Sequence, residues 1–382
     1  MSSDFPDYVS SFIKDIYKNK DIIPLHEPQF SNLDKEYLNN AIDSTYVSSD
    51  GEFIREFEEN LIKFTRAPFA LSVVNGTSAL HLSLISSNVK RNDIVLTQSL
   101  TFVATVNAIK YQRATPLFID VSKERLSICP IKLEDFLENE AFVNDKNECI
   151  LRSSKKTIKA LVVVHVFGHP AKIDEIKRIC DKWCITLIED AAESLGSFYQ
   201  DRHTGTFGEY GAISFNGNKI ITTGGGGAVL CSNIRNGEKA RHIATTAKAR
   251  SLDFYHDKVG YNYRMPNLNA ALGCAQFKYL ESYIDKKREL ASKYEKFFEG
   301  SEYVFVKEPT ESISNYWLNT ILAPSKEERD RFIKKTNKQG ILTRPSWYLM
   351  HKLPMFKDSI YSELQNTEWL SERIINLPSS PI

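Results

Sequence analysis

GAISFNGNKIITTGGGGAVLCS, residues 211–232, reads as strand, tight connection and strand, with one lysine in the connection. GAISF (211–215) and GAVLCS (227–232) are short apolar runs of strand character. Glycines at 224, 225, 226 and 227 allow positive φ and let another group approach the backbone, a planar ligand being one such group. Lys219 thus sits at the end of a strand as a candidate cofactor anchor. A lysine beside a glycine run equally reads as a solvated charge on a flexible loop, so the flanking segments decide.

Outward from it, LIEDAAESLG (187–196) closes an apolar run, Trp183 to Ile188, with Glu189, Asp190 and then small residues, as a parallel strand does at its carboxyl end. Ligands of open α/β sheets gather at that edge. A carboxylate there can hold the pyridinium nitrogen of pyridoxal phosphate, whose charged ring acts as an electron sink; alternatively, Asp190 caps the next helix. In VVNGTSALHLSL (73–84) an apolar strand ends at Asn75 and Gly76, and Thr77 and Ser78 open a helical pattern. Free amides and hydroxyls at that start suit a phosphate, although alone the segment is only a capped helix. It is neither a Walker loop nor the dinucleotide glycine fingerprint. QSLTFVATVNAI (98–109) puts Phe102 at a strand-to-helix corner, where its ring either covers a flat ligand or fills the core.

Strand-like runs at Leu71, Ile94, Leu117, Val162, Leu187, Ile213 and Val229 alternate with helical stretches, predicting an α/β fold with a mainly parallel central sheet flanked by helices. After GYNYRMPN (260–267) come a long helical pattern over 267–299, YVFVK, SNYWLNTILAP, a charged helix over 326–338 and GILTR, which predict a smaller α+β domain. The expected division is a large cofactor-binding domain over 1–255, with an N-terminal helical segment, and a small domain over 256–382. Phe5, Val9, Phe12, Ile16 and Tyr17 predict an amphipathic first helix packing on the body or on a second subunit.

With 382 residues and a net charge of +1, the chain can bury a large core and offers no electrostatic case for nucleic acid; the expected partner is a small molecule. Without a run of about 18 apolar residues or a basic leader, it is expected to be neither secreted nor membrane-bound, but cytoplasmic. The cysteines at 129, 149, 180, 184, 231 and 274 form no CxxC pair and read as reduced thiols. Cys180 with Cys184, and His165 with His169 around helix-breaking Gly168 and Pro170, lack a matching second pair, so no metal is expected.

The blocks IPLHEP, YVSSDGEFIREFEE, NGTSALHLSL, LTFVATVNAI, VVHVFGHP, EDAAESLGS, GTFGEYGAISFNGNKIITTGGGG and GYNYRMPNLNAALG, in this order, resemble the DegT/DnrJ/EryC1/StrS sugar-nucleotide aminotransferases from about Ile23 onward. The resemblance implies pyridoxal 5'-phosphate on an aspartate-aminotransferase-like fold (fold type I). Lys219 would form the imine, Asp190 would hold the pyridinium nitrogen, Phe102 would cover the ring, and Gly76, Thr77, Ser78 and Ser214 would surround the phosphate. Asn262 matches an asparagine that a second copy lends to that phosphate, which implies a homodimer with shared sites. Glu193 falls where many relatives carry glutamine or histidine near the phenolic oxygen, and a carboxylate there is repelled unless one group keeps a proton.

Relatives with histidine in place of the lysine are dehydratases, so Lys219 implies transamination, with glutamate the expected donor. The wording NGNKIITTGGGG and a charged surface insert of about a dozen residues around 140–156 resemble the branch acting on UDP-linked 4-keto-6-deoxy-N-acetylhexosamines in bacillosamine and legionaminic acid synthesis. GDP-perosamine synthases are close cousins. A sugar dehydratase on the same fold would use the same cradle without adding an amine to its product, and a non-catalytic cofactor-binding module would need no Lys219. His26, Arg344, Trp347, Tyr348 and His351, in LHEP and LTRPSWYLMH, are the candidate substrate contacts, Arg344 because its guanidinium forks onto a diphosphate.

Overall fold

The computed structural model describes residues 4–18, 20–250 and 252–382. At its centre is an eight-stranded sheet in the order Phe69–Val73, Gly227–Cys231, Tyr210–Ser214, Thr186–Asp190, Ile158–Val164, Ile94–Gln98, Thr115–Ile119, Ile360–Tyr361. Gly227–Cys231 is antiparallel to both neighbours and every other pair is parallel. All seven expected strands lie in this sheet; the eighth comes from the C-terminal region and has no apolar run to announce it.

Side chains alternate between two covered faces, as the period of two requires. Leu96, Leu117, Leu161 and Leu187 pack on one side with α6 (Pro130–Glu140) and α7 (Ile173–Lys182). Val95, Val162, Ile188 and Val229 pack on the other with α4 (Gly76–Ser86), α5 (Val103–Tyr111) and α8 (Ile234–Ala244). Ahead of the sheet run α1 (Phe5–Ile16), α2 (Asn32–Asp43) and α3 (Glu52–Thr65).

The helical pattern over 267–299 is two helices, α9 (Asn267–Phe277) and α10 (Leu280–Phe298), separated at Lys278 and Tyr279. The first turns of α10 share a cluster with α9 through Leu280, Tyr283 and Ile284, and only its later turns leave it. α9 buries Ala270 and Cys274 with Phe57 of α3, whereas α10 buries Leu290, Tyr294 and Phe298 with the C-terminal elements. Those elements are α11 (Lys326–Lys338), α12 (Gln365–Ser371) and an antiparallel sheet ordered Val304–Phe305, Asn319–Leu322, Ile374–Leu377, Arg344–Pro345. α1 joins the same layer through Val9 and Ile13. The 140–156 insert is a hairpin, Ala141–Val143 against Cys149–Leu151, and the 255/256 boundary falls inside Tyr255–His256, a short strand paired with Lys248–Arg250.

Candidate active site

The carboxyl ends of five strands of this sheet meet at a cavity of about 420 Å³. Phe69–Val73 delivers Asn75, Gly76 and Thr77, Ile94–Gln98 delivers Thr101 and Phe102, and Thr186–Asp190 delivers Asp190 and Glu193. Ile158–Val164 ends at Val164, and Tyr210–Ser214 leads through Ser214 to Lys219.

At the start of α4 the Asn75 carbonyl accepts the Ala79 N–H at 3.1 Å and the Asn75 side chain accepts the Ser78 N–H at 2.7 Å. The amides of Gly76 and Thr77 remain the open donors of the helix, at its positive end. Two glycines make the cradle possible. A Cβ on Gly76 would lie 2.9 Å from Ser214 Cβ, and one on Gly227 would lie 2.5 Å from the Asn75 carbonyl carbon. The group that approaches Gly227 is therefore the protein's own backbone rather than a planar ligand, and within the run only Gly224 has positive φ (77°).

Asp190 accepts a hydrogen bond from Thr105 Oγ1 at 2.7 Å and from the Ala192 N–H at 3.2 Å. Burial raises its pKa while these bonds oppose the rise, which marks a carboxylate short of a positive partner. No helix follows Asp190, so it caps none. Lys219 Nζ stands 3.6 Å from Glu193 Oε1 and 3.9 Å from the centre of the Trp317 ring. Burial lowers the lysine pKa, with Glu193 and Asp190 pulling it back up. Burial also pushes the Glu193 carboxyl up to about 7 against the opposing charge of Lys219. Glu193 Oε2 accepts the N–H of Phe167 at 2.9 Å; Phe167 holds a φ of 57°, an uncommon conformation for a bulky residue, and its ring lies 5.0 Å from that of Trp347.

This architecture and sequence match known proteins. Residues 28–382 match the DegT/DnrJ/EryC1/StrS aminotransferase family. The GDP-perosamine synthase of Escherichia coli O157:H7 is 36% identical over 94% of this chain and 93% of its own length. EpsN of Bacillus subtilis, whose assigned name is that of a pyridoxal phosphate-dependent aminotransferase, is 35% identical over 94% and 90%. The chain belongs to the DegT/DnrJ/EryC1/StrS aminotransferase family. Among solved structures, Helicobacter pylori PseC, an aminotransferase in pseudoaminic acid biosynthesis, superposes with a TM-score of 0.83 at 24% identity, covering 94% of this chain and 93% of that one. The protein is a pyridoxal phosphate-dependent sugar aminotransferase with a type I fold.

In this member of the DegT/DnrJ/EryC1/StrS family the residues present fit that cofactor. Open helix amides suit its phosphate, the positively charged ring answers the undercompensated Asp190, and a buried lysine suits its aldehyde. Gly76, Thr77, Phe102, Asp190, Glu193, Ser214, Lys219 and Trp347 line one cavity. Phe102, 53% exposed, faces this space rather than the core. Ser78 is buried with its N–H spent on Asn75 and does not line the cavity. The remaining candidates also lie off its wall: Asn262 accepts a bond from Arg264 Nε at 3.3 Å, Arg344 is exposed and bonded to Asn337 at 2.8 Å, and Tyr348 is exposed. His351 bonds Ser99 Oγ at 2.7 Å, and both His26 ring nitrogens are buried without a partner among the described residues. Thr105, Phe167 and Trp317 went unnoticed in the sequence. Thr105, one helical turn after Phe102, was findable from spacing, whereas Trp317 and Phe167 reach the site only through tertiary packing.

Proposed function

We propose that this enzyme moves an amino group from an amino acid, with glutamate the expected donor, to C4 of a GDP-linked 4-keto-6-deoxy sugar. The observation that carries the chemistry is the placement of Lys219, Asp190, Glu193 and the open start of α4 around one cavity. The GDP-perosamine synthases among its relatives support the GDP-linked sugar over the UDP-linked N-acetylhexosamine that the motif wording suggests. Bound pyridoxal phosphate supplies an aldehyde for amine exchange and an electron-withdrawing ring. Lys219 would hold that aldehyde through Nζ, and its free amine would carry a proton at Nζ, desolvation favouring the neutral, basic form. Asp190 orients and charges the ring nitrogen, with Thr105 fixing its carboxylate. Gly76, Thr77 and Ser214 bind the phosphate, and Phe102 shields the ring from water.

Asn262 lies on a segment whose Leu252, Phe254 and Val259 are 98%, 69% and 84% exposed. Such apolar exposure suits burial against a second copy, into whose phosphate site Asn262 reaches in our reading. Mixed dimers of Lys219→Ala and Asn262→Ala chains test this: one restored site per dimer is expected, and no restoration removes the shared-site reading.

The reaction itself is tested by following the visible band of the cofactor-loaded protein. Glutamate should bleach it, and GDP-4-keto-6-deoxymannose should restore it with an amino sugar detected by mass. Restoration only by UDP-4-keto-6-deoxy-N-acetylglucosamine returns the substrate to the UDP branch. Lys219→Ala should fold, acquire no such band and form no product; turnover by that variant would falsify the role of Lys219.

A further inference from the structure

Trp317 comes from SNYWLNTILAP, far along the chain from the sheet that builds the site, yet the Lys219 amine rests 3.9 Å from its ring centre. The ring cannot drift. Its Nε1–H donates to the Asn218 carbonyl at 2.7 Å, next in sequence to the lysine itself. Its backbone N–H donates to Asn315 Oδ1 at 2.8 Å, and its carbonyl accepts from the buried Lys287 at 3.1 Å. Asn315 also donates to the Glu193 and Leu195 carbonyls, both at 2.9 Å. The backbones that carry the indole and Glu193 are thereby tied together, and the lysine amine lies 3.9 Å from the indole centre and 3.6 Å from the Glu193 carboxylate.

We propose that the Trp317 face is the resting place of the Lys219 amine whenever it is released from the cofactor, holding it as an ammonium between taking up a proton and giving it back. The inference rests on Lys219 being the attachment residue. An ammonium is drawn to the negative face of an indole and a neutral amine gains little there, so the ring selects the protonated form. In each half of the reaction the proton that the neutral amine takes from one carbon would become an N–H of the ammonium and be given back to the carbon at the other end of that shift. The other charged groups facing Nζ are Glu193 and Asp190, which favour the ammonium, and His26, whose protonation Lys219 opposes. The indole adds a site for the amine that neither carboxylate supplies, on a residue that also lines the cavity.

The test uses cofactor-free protein, in which the amine is always free. Acetic anhydride labelling of the Lys219 peptide against pH, read by mass, gives the ammonium pKa in wild type, Trp317→Phe and Trp317→Met. An indole face holds a cation more tightly than a phenyl face, and a thioether has no such face, so the midpoint should fall by about one unit from Trp to Met, with Phe between them. Equal midpoints in the three proteins overturn the proposal. Should Trp317→Met fail to fold, wild type alone decides it. With 13C-labelled lysine, the ε-carbon signal missing in Lys219→Arg should sit upfield through the indole ring current, and a random-coil position overturns the proposal. Borohydride trapping of cofactor on the wild type separates the two readings: trapping on a different lysine removes the attachment role and leaves the labelling series to be judged by itself.

Discussion

At the scale of single residues the site is a balance of buried charges, and Glu193 is where that balance is most exposed to pH. Its carboxyl is raised from 4.5 to about 7, chiefly by desolvation, with the Lys219 charge opposing. Between those values the folded chain keeps a proton that the unfolded chain releases, so this residue's contribution to stability falls as pH rises and is fully unfavourable above about 7. Glutamine carries no such proton. In cofactor-free protein the unfolding midpoint of Glu193→Gln should gain on wild type between pH 5 and pH 8, and a difference that stays constant would show that Glu193 is ionised throughout. The same substitution should lower the Lys219 labelling midpoint, because the carboxylate is the first of the groups holding that ammonium in place.

At the scale of elements, α4 and the strand before it make the phosphate cradle, and space and capping can be separated there. Asn75→Ala removes the cap of Ser78 and should lower stability by about 1 kcal/mol while leaving the cavity open. Gly76→Ala drives a Cβ against Ser214 and should lower stability by about 1 to 3 kcal/mol, with a much larger loss of cofactor retention than Asn75→Ala. Equal cofactor dissociation rates in the two variants would place the phosphate elsewhere. These elements were legible in the sequence because each is a local pattern, an apolar run ending in glycine, hydroxyl or carboxylate residues. Strand ends announce themselves in this way, and the parallel sheet follows from their alternation with helices. What was hidden depends on partners distant in sequence: the edge strand Ile360–Tyr361 and the arrival of Trp317 beside Lys219. The substrate candidates drawn from LTRPSWYLMH (342–351) were the least legible. Of them only Trp347 reaches the cavity, because side-chain direction on an irregular segment has no periodicity to betray it.

At the scale of the whole molecule, the two ends of the described chain are one layer. The apolar side of α1 fills a cluster with α10, α11 and the small sheet, while Asp4 and Asp7 reach Lys335 at 2.6 and 2.8 Å. Ile23 bridges Ile341, and Ser379 donates its N–H to the Leu25 carbonyl at 2.7 Å, so the strap after α1 is stitched to the C-terminal segment. This cluster is separate from the one beneath the active site, which contains Leu195, Phe215 and Trp317. The ion pairs are exposed to water and contribute little, whereas Ile13 is fully buried. Ile13→Ala should therefore lower stability by about 2 to 5 kcal/mol, the range for emptying a well-packed aliphatic site. Because the cluster does not line the cofactor cavity, the visible band of the loaded protein should survive to higher urea than the loss of helical signal from this layer. Simultaneous loss of both signals would mean that the layer and the cofactor site unfold as a single cooperative unit, bound through Trp317 and the Lys287 that grips its carbonyl.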